Sequence, residues 1–386
     1  MPAAGRGKVE YLEGLRGIAA MQVVLLHFVT GFLPYTAEHA WPPLRVLFDG
    51  HSAVYVFFLI SGAVLTPSFA RPGGFLAKLG KRVVRLGIPV AAAAAIATVL
   101  LTLLPDAHLR AARLSGSAWL AMDSSGAPTL AHLAREIGLD SLLLGYREAT
   151  LFAPLADRLP LMEHSLDAPF WSLHLELYGS LLVLGLVTLR ARSAWLYRGA
   201  IVGAALSFGT HPMFLFVLGH LSAPMLGRRP GTILAMLGAI LLVLGVAVCA
   251  TKDWHAVEAL RLWLSRGEWA FAPNPFQFQS ELGAVAIYFA VLACPAVWRL
   301  LESTACRRLG RLSFSIYLLH FPILFTVVCA GSIRLRDLLP EAASVAAAFA
   351  GFLALTLLAA VRFERWIDRP AIALSRRAGG IRWQPA

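Results

Sequence analysis

The sequence predicts an all-α fold, a polytopic membrane helix bundle of about ten transmembrane helices with both termini cytoplasmic. Hydrophobic residues fill 58% of the 386 positions and charged residues only 15%. The apolar residues recur in runs close to the roughly 20 that a helix needs to cross a bilayer. Lysine and arginine collect between alternate runs, as positive-inside topology requires.

The candidate spans lie near 12–34, 52–70, 83–104, 169–189, 194–209, 211–227, 231–250, 279–298, 311–330 and 341–363. The fifth and sixth are short and are separated only by Gly209-Thr210-His211-Pro212. Met1 to Glu10 is short and polar and lacks the apolar core of a removable signal peptide, so the first span is expected to stay. With the N-terminus inside, the inner segments carry 22 Lys and Arg and the outer segments 11, although the outer ones are longer. The net charge of +12 therefore reads as orientation; no basic patch with interleaved aromatics points to nucleic acid. Cys249, Cys294, Cys306 and Cys329 show no paired spacing, which argues against a disulfide framework or a zinc site and leaves no metal expected.

Residues 105–168 form one long outer loop holding Asp106, Asp123, Glu136, Asp140, Glu148, Asp157, Glu163 and Asp167. Its stretch from Leu130 to Tyr146 predicts an amphipathic helix lying on the outer surface or dipping into it, placed to cover a site. The expected organisation is a single membrane domain over 1–370 and a short basic cytoplasmic tail over 371–386.

Arg16 and His27 are the most informative pair, because both lie within the first span. Eleven residues of α-helix turn roughly 1,100°, close to three whole turns, so both side chains share a face about 16 Å apart along the axis. Ionisable groups inside a span are costly and mark functional sites by default. By depth, His27, Ser61, Glu176, Tyr317 and His320 are expected in the middle of the bilayer, with Arg82 and Arg85 on one helical face at the inner mouth of the third span. A neutral histidine can take a proton from a hydroxyl, and a carboxylate on its other nitrogen would hold the tautomer; Glu176 is the candidate. Arginines pair bidentately with phosphate, so Arg82 and Arg85 suit a phosphorylated donor such as coenzyme A entering from the cytoplasm. Plainer readings stand beside these: snorkelling for Arg16, a helix-to-helix hydrogen bond for His27, topology for Arg82 and Arg85, scaffolding for Tyr317 and His320, and close packing for Ser61-Gly62. No Gly-x-Ser-x-Gly elbow, Walker loop, His-Glu-x-x-His or dinucleotide fingerprint is present.

Five segments resemble the integral membrane acyltransferases of the acyltransferase-3 type. They are Tyr11 through His27 with its Arg-x10-His spacing, Phe57-Phe58-Leu59-Ile60-Ser61-Gly62, and Arg82-Val83-Val84-Arg85 ahead of Pro89, followed by Phe170-Trp171-Ser172-Leu173-His174-Leu175-Glu176 and Leu312 through Pro322 with Ser313, Tyr317 and His320. They follow the family's order across residues 11–322. Glu13 stands where that family usually has Asp, and Ala63 and Phe314 replace frequent aromatics, departures that bear on the acceptor.

The resemblance implies an O-acetyltransferase-like enzyme of a bacterial inner membrane. It would move an acyl group, acetyl foremost, from acyl-coenzyme A to a hydroxyl of a glycan or lipid-linked acceptor, with acetyl-CoA or another acyl-CoA as co-substrate and no bound cofactor. In that scheme His27 is general base or acyl relay, Arg16 and Glu176 assist it, Arg82 and Arg85 bind the donor, and Glu13, Ser61, Tyr317 and His320 support. A secondary transporter or flippase-like scaffold is the competing class. It predicts repeats with matching interrupted helices, and the two halves show no recurrence of the Arg-x10-His or Arg-x-x-Arg spacings.

Overall fold

The computed structural model describes residues 9–122, 128–251, 254–267, 274 and 277–378. The N-terminal segment with Arg6 and Lys8, the loop residue Asp123 and the tail beyond Ala378 lie outside the described residues. Among the described residues the structure is helical with no strand.

The ten principal helices are α1 (Glu10–Phe32), α2 (Gly50–Phe69), α3 (Phe75–Leu103), α4 (Trp171–Arg192), α5 (Ala194–Phe208), α6 (Met213–Ser222), α7 (Thr232–Ala250), α8 (Phe278–Ala293), α9 (Thr304–Ile323) and α10 (Glu341–Phe363). Local chemistry sets several boundaries. Glu10 and Glu13 place negative charge at the N-terminus of α1, where the helix dipole favours it, and Leu33-Pro34 ends the helix. Asp49 caps α2 by accepting the Ser52 N–H at 3.1 Å. α9 runs on through a π-helical turn at Leu324–Val328 into Cys329–Leu338, and α10 through another at Glu364–Asp368 into Arg369–Ala378. The expected tail therefore begins as helix.

Seven helices among the described residues are long and apolar enough to cross a membrane, and an eighth is gained if Phe278–Ala293 and Pro295–Leu301, bent by 97° about Cys294, count as one span. The remaining two of the expected ten are the shorter helices Ala194–Phe208 and Met213–Met225. At about 1.5 Å per residue the 15 residues of α5 reach about 22 Å, short of a hydrocarbon core about 30 Å thick.

The chain packs as two contact-rich units: residues 1–23, 41–72 and 179–313 form one, and residues 24–40, 73–178 and 314–386 the other. In the first unit, glycines let backbones approach. A Cβ on Gly62 would stand 2.2 Å from the Phe216 carbonyl oxygen, and one on Gly219 would stand 2.1 Å from that of Leu59. α2 and α6 therefore cross almost backbone to backbone, which gives Gly62 the packing role that small residues play between membrane helices.

In the second unit, α3 begins at Phe75, eight residues before the span expected from 83. The basic residues at its start keep long apolar stems that can lie along apolar surface. Arg82 thus lies two turns inside the helix and is buried.

The stretch expected as an amphipathic helix is α-helical only over Leu130–Arg135, π-helical over Glu136–Leu144, and stops at Gly145 with φ of 76°. Its polarity is inverted: Glu136 and Asp140 are buried while Leu130, Leu139 and Leu143 are exposed. The buried acids are served locally. The Tyr146 hydroxyl donates to Glu136 Oε1, the Leu166 N–H donates to Oε2 at 3.1 Å, and Arg135 Nε donates to Asp140 at 2.8 Å. Burial pushes the Glu136 carboxyl up to about 7 against those hydrogen bonds, with Asp140 adding repulsion. Burial likewise holds Asp167 well above the usual carboxylate range, with Glu136 contributing.

Two outcomes are expected. An unperturbed glutamate titrates near 4.5, so the folded loop keeps a proton on Glu136 that the unfolded chain releases between about 4.5 and 7. The loop's stability is full below that window and declines as pH rises through it. Hydrogen-exchange protection across residues 130–167, taken relative to the intrinsic rate at each pH, should fall over this range in wild type and stay level in Glu136→Gln; a level wild-type profile contradicts the assignment. Separately, Gly62→Ala should destabilise the detergent-solubilised protein by about 1–3 kcal/mol. Gly185→Ala, where an added Cβ meets nothing within 4 Å, is the thermal-unfolding control and should be near neutral.

Candidate active site

His27 lies in the C-terminal half of α1, and its imidazole meets that of His320 on α9, Nδ1 to Nε2 at 2.8 Å. His320 is fully buried. Its Nδ1 stands 3.0 Å from the Ile316 carbonyl oxygen and 2.9 Å from that of Tyr317. Carbonyls only accept, which assigns the His320 proton to Nδ1 and leaves Nε2 as an acceptor. His27 must then donate through Nδ1, so the basic lone pair of its ring lies on Nε2. Two carbonyl groups thus fix, through one histidine, which nitrogen of another is basic.

The sequence around His320 explains the local geometry. Pro322 lies inside α9 and has no N–H for the helical ladder, and a π-helical turn follows at Leu324–Val328. The missing N–H of Pro322 releases the carbonyl of Leu318; those of Ile316 and Tyr317 keep their places in the helix and accept the His320 ring proton on a second lone pair. Aromatic rings fix the His27 ring further: Trp119 stacks on it at 5.3 Å, His320 lies at 5.0 Å, and Phe321 meets it edge-on at 5.5 Å. Trp119 is itself held edge-on by Phe321 and Phe325. Its segment is tied to α1 by Ser117 Oγ donating to the Thr30 carbonyl at 2.9 Å.

The second group is ionic. Arg82 of α3 donates through Nη2 to Oε1 of Glu176 on α4, with side-chain exposures of 10% and 15%. Arg85 follows one turn later on the same face. Ser172, four residues before Glu176, lies 2.8 Å from the Tyr317 hydroxyl, which itself donates to the Pro169 carbonyl at 2.8 Å. Tyr317 is within electrostatic reach of Glu176 and Asp167. The first turns of α4 therefore face the part of α9 that carries Tyr317 and His320.

Of the residues singled out in the sequence, His27, Arg82, Arg85, Glu176, Tyr317 and His320 belong to the second unit, and Glu13, Arg16 and Ser61 to the first. α1 is unbroken, so the eleven-residue spacing of Arg16 and His27 is kept. Arg16 has its guanidinium 5.9 Å from the centre of the Phe57 ring. The carboxylate expected to orient His27 is paired with Arg82, and the orienting contact comes from His320. His220, left without a chemical role, bridges Thr66 at 2.8 Å and Tyr197 at 3.0 Å as a packing residue. Trp119 was not foreseen, because it lies in the long loop outside every motif. Neither was the burial of Asp167, whose carboxyl oxygens are both without a hydrogen-bond partner. Among the described residues no group of three or more His, Cys, Asp or Glu is placed to hold a metal ion.

The family model described as an acyltransferase domain, of the acyltransferase-3 type, covers residues 9–363, nearly the whole chain. No curated protein matches the chain, and no solved structure does. The chain belongs to the acyltransferase-3 family as a multi-pass membrane acyltransferase.

Proposed function

We propose that this acyltransferase moves an acyl group, acetyl foremost, from cytoplasmic acyl-coenzyme A to a hydroxyl of an extracytoplasmic or lipid-linked acceptor such as a glycan, in a bacterial inner membrane. The observation that carries the reading is the His27–His320 contact backed by two carbonyl groups, which leaves His27 Nε2 as a base. In the proposed reaction that nitrogen takes the acceptor's hydroxyl proton as the oxygen attacks the thioester carbonyl. The carbon–sulfur bond then breaks, and the departing sulfur takes the proton from His27 to give coenzyme A thiol. His320 accepts the Nδ1–H bond throughout and steadies the transient imidazolium, the part a carboxylate plays in a serine-protease triad. Arg82 and Arg85 receive the donor's phosphates, and Arg16 adds positive charge along α1. No bound cofactor enters the scheme.

A transporter would also bury charge, but a histidine held to one tautomer is a device for moving a proton to or from a bound group. Release of coenzyme A from acetyl-coenzyme A, with a mixed glycan and lipid extract as acceptor, tests the proposal. His27→Ala should lower turnover by about 10²–10⁴-fold with folding intact. His320→Ala, which removes only the orienting contact, should lower kcat by about 10–100-fold with little change in KM. Turnover untouched by both changes would sink the assignment. Arg85→Ala should raise the donor's KM several-fold; an effect confined to the acceptor would reverse its role.

A further inference from the structure

A buried arginine that is to receive a phosphate faces a difficulty while the site is empty. Two turns inside α3, with its side chain 10% exposed, Arg82 is a cation largely stripped of water. Removing one partner from a buried ion pair is strongly destabilising for that reason. Glu176 supplies the counter-ion, its Oε1 on Arg82 Nη2. A phosphate reaching this guanidinium needs the same fork of N–H donors. It would also bring its charge against a carboxylate that is itself only 15% exposed, and like charges so close in a dry site repel.

α4 offers the displaced carboxylate somewhere to go. Ser172 lies one helical turn before Glu176 on the same face, its Oγ 2.8 Å from the Tyr317 hydroxyl, and Tyr317 is already within electrostatic reach of Glu176. Tyr317 already donates to the Pro169 carbonyl at 2.8 Å, so Ser172 Oγ, which reaches the same oxygen only at 3.2 Å, can turn its proton toward a carboxylate with no change in backbone.

We infer that Glu176 is a placeholder anion: it occupies the phosphate seat on Arg82 in the empty enzyme and yields it to the acyl donor, turning toward Ser172. The inference rests on the donor reading above and adds to it a competition built into the fold. Glu176 is then a positioning residue that lowers donor affinity while keeping Arg82 ready. Because apparent affinity falls with the fraction of protein whose site is blocked, removing the competing charge raises it.

The test is coenzyme A binding to the full chain in detergent, measured by calorimetry without turnover. Glu176→Gln should bind on the order of tenfold more tightly than wild type. The gain should vanish when Arg82→Ala is combined with it, since the two residues act on one seat. Coenzyme A should also raise the melting temperature of Glu176→Gln more than that of wild type. Should Glu176→Gln fail to fold, Glu176→Asp, which keeps the charge on a shorter arm, should show a smaller gain of the same sign. A purely structural salt bridge predicts the reverse, weaker binding in both variants, and equal or weaker binding in a folded variant overturns the inference while leaving the donor reading in place. Absence of binding to wild type and variants alike removes the donor reading and this inference with it.

Discussion

Inside a bundle bathed in hydrocarbon, a polar group must find its partner in the protein, and the second unit is arranged around that requirement. His320 has no exposure and needs two partners: two carbonyl groups of its own helix take one nitrogen and His27 takes the other. Arg82 needs an anion and has Glu176. Each solution is a local economy of hydrogen bonds, yet each also sets a chemical property, the basic nitrogen of His27 in one case and a charged seat held ready in the other.

The scaffold that allows this is built from close approaches and interruptions. Gly62 and Gly219 bring α2 and α6 together so tightly that a single methyl group would strike backbone. Pro322 and the π-helical turn at Leu324–Val328 loosen α9 near His320. The carbonyl groups of Ile316 and Tyr317 accept from the His320 ring on the lone pairs that the helical ladder leaves over. Rings from Trp119, Phe321 and His320 then limit how the His27 imidazole can turn. Pre-positioning of this kind is what general-base chemistry needs, since a proton moves well only along a short, directed contact.

Much of this is legible in the sequence where helical periodicity alone decides. The eleven-residue spacing of Arg16 and His27 survives because α1 is one unbroken helix, and the Arg-x-x-Arg pair shares a face for the same reason. Periodicity assigns a face but names no partner. His320 is 293 positions from His27, so nothing local marks it as the group that orients that ring. The helix that carries Arg82 begins at Phe75, before its apolar run, because the long stems of basic residues let them sit within a helix. The stretch from Leu130 to Tyr146 turns its acids inward because Tyr146 and the Leu166 N–H serve Glu136 there, and those contacts depend on the tertiary fold. Trp119 carries no sequence signal, since an aromatic residue in a long loop acquires its role only from what folds against it.

The account depends most on which nitrogen of His27 carries the proton. Nitrogen-15 NMR of histidine-labelled protein, with His27→Ala and His320→Ala used to assign the two rings, reads this directly at a pH where both are neutral. The account predicts that His27 and His320 both carry the proton on Nδ1, with His27 Nε2 unprotonated. A His27 ring protonated on Nε2 would contradict it, because the base would then point at His320 and no lone pair would be left for an acceptor hydroxyl.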